Sequence, residues 1–406
     1  MIKRWQESNL RMALETRRGV HLTGARQCGK TTLSASLSGI DFRYLSLDVP
    51  ALRHAAVADP DGFIARPDGK TLVVDEVQKA PEILDAIKIR LDRDGSKGQY
   101  LLTGSSSLRF AKMVKDSLAG RLATIRLRTL ALGELKGGSG NFLKRAFLRD
   151  FTGGFDQLDK RMVIHLAFQG GYPETLDFSP KARKGWYRDY VDDLLMKDIR
   201  DVTEIRKTEA LLKVVDWMLA YTAKFFDRKT LCTAAQLSGV TIDNYLGALG
   251  ALYLFDAVPA WAGSDYAKIG KRVKYFASDP GLVANQLGWK EEQVYLDGDR
   301  SGKLVETWVY HELAAISGLN QEYTITQYRD SDKHEIDFIV ENDDRDLLGI
   351  EVKAGSNLGP EDFKHLKWFS ANMSKSRFTG IVLYTGKDVL RFGEGFYAVP
   401  MAMLAV

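Results

Sequence analysis

Short, nearly continuous apolar runs alternate with amphipathic stretches over the first third of the chain. Trp5, Leu10, Met12, Ala13 and Leu14 recur at helical spacing and predict a helix over 5–18. Gly19-Val-His-Leu-Thr23 predicts a strand, and the run 32–37 a helix. The alternating stretch 42–48 predicts a second strand, and 49–66 a helix and turn around Asp59-Pro60-Asp61-Gly62. The β-branched run 70–75 predicts a third strand, Pro81 opens a helix reaching Leu91, and 99–104 and 121–128 predict two more strands. Apolar runs without alternation are strands buried on both faces. Strands of that kind separated by helices predict an α/β fold with a doubly wound parallel sheet.

The pattern then changes. Residues 161–194 read as helical, broken at Gly170-Gly171 and at Ser179-Pro180, and 187–199 is a helix with Tyr190, Leu194, Leu195 and Met196 on its apolar face. Helices over 210–220 and 231–237, a tight turn at Ser238-Gly239-Val240, a helix capped by Thr241 and a strand over 255–261 outline a winged helix-turn-helix. A helix over 303–316, strands over 323–328, 334–340 and 347–353, a helix over 361–369 and a final strand over 380–384 make an α-β-β-β-α-β order. These changes of character set expected boundaries: a sheet core over 1–135, a helical lid or linker over 136–205, a winged-helix-like module over 206–285 and a last domain over 286–406.

The chemistry begins where the first strand ends. Gly24-Ala-Arg-Gln-Cys-Gly-Lys-Thr31 satisfies G-x-x-x-x-G-K-[ST] between a strand and a helix, the context that a P-loop requires. Gly24 and Gly29 let the backbone curl so that the N–H groups of Ala25, Arg26, Gln27, Cys28 and their neighbours through Thr32 point at phosphate oxygens. The following helix adds the positive end of its dipole. Lys30 reaches the outer phosphates and the Thr31 hydroxyl suits Mg²⁺. Asp75 and Glu76 close the third strand, at the sheet edge where such folds bind ligands. Asp75 fits a water-mediated Mg²⁺ ligand, and Glu76 a base for the attacking water. The serines at 105–107, after the fourth strand, face the same edge or simply form a turn.

Four strings carry a resemblance: 23–31, Val73-Val-Asp-Glu-Val-Gln78, Leu102-Thr-Gly-Ser-Ser106 and Ser117-Leu-Ala-Gly-Arg121, joined downstream by Gly170-Gly-Tyr-Pro-Glu174. Together they resemble the prokaryotic AAA-type ATP-binding proteins of the archaeal-ATPase group, which carry a C-terminal domain of unknown function. The resemblance implies ATP and Mg²⁺ as cofactors, Ser105 or Ser106 as a sensor residue and Arg121 as an arginine of the phosphate region.

A second constellation lies near the C-terminus. Glu351 and Lys353, two apart on a strand, share a face, and Asp337 on the hairpin partner can lie opposite them. Two carboxylates and a lysine can hold Mg²⁺ and position a water for phosphodiester attack. The pattern resembles the restriction-endonuclease-like, or PD-(D/E)xK, fold, with Glu306 matching its helix acid, Asp337 the metal ligand and Glu351-x-Lys353 the paired motif. Ile336 stands where that motif has Pro, so the fold is expected and activity is left open. Lys353 either stabilises charge on a phosphate or merely neutralises Glu351, and Glu306 either orients the site or is surface charge.

Composition narrows the partners. The 406 residues carry a net charge of +4, compatible with nucleic acid without requiring it. Cations crowd 111–150, at Lys112, Lys115, Arg121, Arg126, Arg128, Lys136, Lys144, Arg145 and Arg149, and recur at Lys268, Lys271, Arg272 and Lys274. DNA contact through these patches is one expectation, and a protein partner or homo-oligomer another. The third helix of the winged-helix outline has no Lys or Arg and carries Asp243, which disfavours sequence reading. Cys28 and Cys232 make no disulfide framework, no apolar run approaches membrane-spanning length, and a cytoplasmic setting is expected. The reading is an Mg²⁺-dependent ATPase acting as a switch. Its alternatives are an ATP-gated DNA-processing nuclease and a non-hydrolysing ATP-binding signalling module.

Overall fold

The computed structural model describes the chain except Met1, 38–41, 105–113, 115, 199–207 and 265–271, and the side chains of 197, 198 and 208. Ser105, Ser106, Lys112, Lys115, Lys268 and Lys271 therefore lie outside the described residues. The first five strands are β1 (Gly19–Gly24), β2 (Phe42–Ser46), β3 (Thr71–Asp75), β4 (Tyr100–Thr103) and β5 (Leu122–Leu127). They form one parallel sheet in the order β2-β3-β4-β1-β5. The central strands are buried along nearly their whole length, as their apolar runs require. The P-loop leaves the C-terminal end of β1 and enters the helix Lys30–Ser36.

A helical stretch over 160–198 follows. Next come helices Thr208–Ala220, Arg228–Ala235 and Gly239–Ala251 and the antiparallel pair β6 (Phe255–Val258) and β7 (Lys274–Ala277). One boundary moves. Ser238, not Thr241, is the N-cap of the third helix, its hydroxyl accepting from Thr241 N at 3.2 Å, so Gly239 and Val240 are helical rather than a turn.

The long helix Gly298–Asn320, buried along most of its length, precedes a six-stranded mixed sheet. Its strands are β8 (Thr324–Arg329), β9 (Glu335–Glu341), β10 (Leu347–Lys353), β11 (Phe378–Tyr384), β12 (Leu390–Gly393) and β13 (Phe396–Pro400), in the order β12-β13-β11-β10-β9-β8. The strand over 378–384 is thus not the last. β13 pairs parallel to β11, and the largely exposed β12 closes the edge. The parts do not pack separately: one buried apolar cluster runs from Leu10 through Tyr187 and Val309 to Leu404. The C-terminal turn Met401–Ala405 lies against Gly138, where a Cβ would come 2.1 Å from the Ala405 carbonyl oxygen. Among the described residues no helix is long and apolar enough to cross a membrane.

Candidate functional site

The P-loop needs its glycines for two different reasons. Gly24 has φ +146°, and a Cβ there would stand 2.2 Å from the Leu127 carbonyl oxygen; Gly29 has φ +102° and leads into the helix. Lys30 is buried, and its Nζ donates to the carbonyls of Gly24 (2.9 Å) and Ala25 (2.8 Å). Cys28 is fully buried, with Sγ 3.5 Å from the Leu127 carbonyl oxygen. Thr31 and Thr32 are exposed.

Two residues that the sequence reading missed hold this loop. Arg4, itself buried, donates from Nη1 to the Cys28 carbonyl at 2.8 Å and from Nη2 to the Arg128 carbonyl at 2.7 Å. It also pairs with buried Glu134 at 3.1 Å. From the other side, Tyr190 donates to the Arg26 carbonyl at 3.4 Å. Tyr190 belongs to an aromatic group with Tyr172, Trp186 and Tyr187. That group explains the Gly-Gly-Tyr-Pro-Glu box. Gly170 has φ +68°, and a Cβ there would meet the Tyr187 hydroxyl at 2.1 Å and Asp279 Oδ1 at 2.4 Å; at Gly171 it would meet the Leu130 carbonyl oxygen at 2.3 Å. Tyr172 is buried, and Pro173 and Glu174 reach the rim of the P-loop cleft.

Asp75 is buried at the end of β3. Its Oδ2 accepts from the Tyr44 hydroxyl at 2.7 Å, and its Oδ1 from the Thr103 hydroxyl. Burial, reinforced by Asp75, pushes the Tyr44 phenol up, so it stays a donor. Thr103 is the last residue of β4, and it, among the described residues, meets Asp75 from that strand. Glu76 sits at φ 57°, a left-handed conformation uncommon outside glycine, and its Oε2 accepts from Gln78 Nε2. His21, in β1, is pushed down to about 4, first by burial and then by Lys30 nearby.

Arg121 requires a correction. Parallel register sets Leu122 beside Gly19 and Leu127 beside Gly24, so Arg121 lies at the far edge of the sheet, roughly 20 Å from the P-loop at about 3.3 Å per residue. It forms an ion pair with Asp92 there, at 2.6 Å. The described cations of 111–150 are drawn into separate contacts rather than one basic face. Arg126 and Arg128 pair with buried Asp256 of β6 (2.7 and 2.6 Å), Arg149 donates to Phe378 O and Thr379 Oγ1, and Lys136 pairs with Asp156.

Two contiguous cavities flank the loop. One, of about 550 Å³, runs from Arg26, Lys30 and Thr31 to Asp48, Glu76 and Glu174. The other, of about 430 Å³, is lined by Ile2, Lys3, Leu33, Ser36, Leu130 and Pro173 and is the more apolar. They meet at Gly29, Thr32 and Pro173. A loop of turned-in backbone with a lysine, a hydroxyl and two strand-end carboxylates on one side and an apolar slot on the other is a donor set that fits a magnesium nucleotide.

The second constellation is assembled differently from expectation. Asp337 Oδ2 accepts from Val352 N at 2.9 Å, where the β9–β10 ladder opens, and this brings Asp337 beside the Glu351 strand. Glu351 Oε1 is buried and makes no hydrogen bond among the described residues. Burial and then Asp337 push the Glu351 carboxyl well up, and the same causes push Glu306 up to about 8. Lys353 pairs with Asp362 at 3.3 Å. The lysine at the centre is Lys274, expected as a wing cation: its Nζ lies 2.6 Å from Glu306, 3.5 Å from Asp337 and 3.6 Å from Glu335.

Residues 16–136 match the family described as AAA domain. Residues 160–293 and 301–404 match two families described as Domain of unknown function, DUF8612 and DUF4143. The N-terminal region is thus of the AAA type, an ATP-binding class of P-loop ATPase. Uncharacterized protein Mb2031c of Mycobacterium bovis (strain ATCC BAA-935 / AF2122/97) and uncharacterized protein Rv2008c of Mycobacterium tuberculosis (strain ATCC 25618 / H37Rv) are each 26% identical over 403 residues, covering 97% of this chain and 82% of theirs. Among solved structures, the Walker-type ATPase paby2304 of Pyrococcus abyssi is 15% identical, covers 70% of this chain and 95% of its own, and gives a TM-score of 0.43, too low to carry an argument.

Proposed function

We propose that the chain is a magnesium-dependent ATPase that works as a switch, with its hydrolytic centre at the P-loop and the β3 edge. The observation that carries this is the convergence of Lys30, Thr31 and Glu76 on one cleft, with buried Asp75 fixed behind it by Tyr44 and Thr103. The backbone N–H groups of Gly24 to Thr32 receive the phosphates. Lys30 exchanges its two loop carbonyls for phosphate oxygens. The apolar slot beside Leu33 and Pro173 takes the base. Thr31 and, through water, Asp75 would hold the magnesium ion, which offsets the phosphate charge. Glu76 orients and deprotonates the attacking water, and Thr103 keeps Asp75 in place. A winged-helix-like module over 206–285 and a nuclease-like fold over 286–406 are attached to this centre. Their burial in the shared core favours relaying the nucleotide state over acting as free-standing domains.

Phosphate release from ATP and Mg²⁺, with and without DNA, is the test. Lys30→Ala is expected to abolish nucleotide binding, and Glu76→Gln to retain binding while turnover falls by a hundredfold or more, the scale of losing a positioned base. ATP binding unchanged in Lys30→Ala would sink the reading.

A further inference from the structure

We infer that the acidic cluster of Glu306, Glu335 and Asp337 is organised around the Lys274 ammonium, a cation of the chain itself, in place of a divalent metal ion. The inference stands apart from the ATP reading and is decided without nucleotide.

The lysine side chain is only 2% exposed, and Nζ lies within 3.6 Å of a carboxylate oxygen from each of the three acids. An ammonium has three protons to donate, and an oxygen from each of three acidic side chains lies near it. The rings of Phe225 and Phe276 lie 5.4 and 5.7 Å from Nζ and add cation–π attraction. The backbone that carries the lysine is fixed on both flanks. β7 pairs with β6, whose Asp256 is tied to Arg126 and Arg128, and Ala277 N donates to Thr222 Oγ1 at 3.1 Å. The side chain is therefore delivered to the acids by the fold rather than by a loose surface rotamer.

A metal ion would require another arrangement. Magnesium holds oxygens at about 2.0–2.1 Å, so three ligand atoms crowd together around it. Among the described residues, the three whose ligand atoms lie within 4.8 Å of one another are Asp330, Asp332 and His334, in the exposed β8–β9 turn, and not Glu306, Asp337 and Glu351. The acids instead stand around a larger, singly charged group. A divalent ion entering beside it would meet a buried like charge with little water to screen it. The motif's own lysine, Lys353, is engaged with Asp362, and the lysine among Glu306, Glu335 and Asp337 comes from a different strand.

The test is calorimetric titration of the nucleotide-free full-length protein with Mn²⁺, together with thermal unfolding. The wild type and Asp337→Asn are expected to bind the same number of Mn²⁺ ions. Lys274→Met is expected to bind one more per chain, lost again in Lys274→Met/Asp337→Asn, and its melting temperature is expected to rise with Mn²⁺ where the wild type's does not. Should Lys274→Met fail to fold, the first comparison decides alone. A Mn²⁺ ion bound by the wild type and lost in Asp337→Asn overturns the inference, as does a folded Lys274→Met that gains no ion.

Discussion

Arg4 offers a sharp test of how the P-loop is held. Arg4→Met keeps the volume of the stem and removes the guanidinium. The side chains of Arg4 and Glu134 are 9% and 4% exposed, so the carboxylate is left in a dry place. Removing one partner of such a pair costs about 3–5 kcal/mol. Glu134 keeps the N–H groups of Trp5 (2.8 Å) and Ala131 (3.2 Å), which draws that term toward about 3 kcal/mol. The carbonyls of Cys28 and Arg128 each lose a donor, at about 1 kcal/mol apiece. A total loss of about 5 kcal/mol is expected in urea unfolding. The Arg4→Met/Glu134→Gln pair is expected to fall short of the sum of its single changes by at least ~1 kcal/mol, since the two groups share one network. Releasing the Cys28 carbonyl also frees the loop, so ATP is expected to bind roughly fivefold more weakly if that tether is worth about 1 kcal/mol. An Arg4→Met protein within ~1 kcal/mol of the wild type, or strictly additive changes, would refute this account of the loop.

Further expectations follow from the same geometry. The Glu306 carboxyl, pushed up to about 8 from the ordinary 4.5, keeps a proton in the folded chain that the unfolded chain has lost; its stabilising share is full below about pH 4.5 and gone once pH rises through about 8. Melting temperatures of Glu306→Gln are expected to fall less across that window than those of the wild type, and identical profiles would contradict it. Gly170→Ala is expected to cost about 2–4 kcal/mol, combining a left-handed backbone with a Cβ 2.1 Å from the Tyr187 hydroxyl, as read by chemical denaturation. Ser36→Trp, filling the apolar slot from an exposed helix position, is expected to weaken ATP at least tenfold while tripolyphosphate binds as before; equal losses for both would remove the base from that slot. Arg121→Ala is expected to change ATP affinity by less than twofold, because Arg121 lies at the far edge of the sheet.

Chemistry written in consecutive residues was legible in the chain. The P-loop from Gly24 to Thr31 and the Asp75-Glu76 strand end carry their meaning in local order, and the apolar runs that become β1, β3 and β4 mark a parallel sheet without any tertiary information. A strand period says that a residue belongs to a sheet, but parallel register decides which edge it reaches. The family resemblance implied a place at the phosphates for Arg121, and the register sets it at the other edge beside Asp92. Thr103, which the sequence reading passed over, contacts Asp75, because hydroxyl residues cluster at strand ends and a sequence does not say which of them reaches the acid. Exposed β12, only four residues long with Leu390 and Phe392, is too short to stand out as a periodic pattern.

The loop and the strand acids were thus determined by the sequence, since turn geometry and local spacing are properties of the chain itself. What holds them was decided by tertiary structure: Arg4 on the Cys28 carbonyl, Tyr190 on the Arg26 carbonyl, Asp256 on the two arginines and Lys274 among the acids. Each of these links joins residues far apart in the chain. A charged side chain in a sequence carries no mark of burial, and Lys274 looks like any surface cation until the fold withdraws water from it and sets it among acidic side chains.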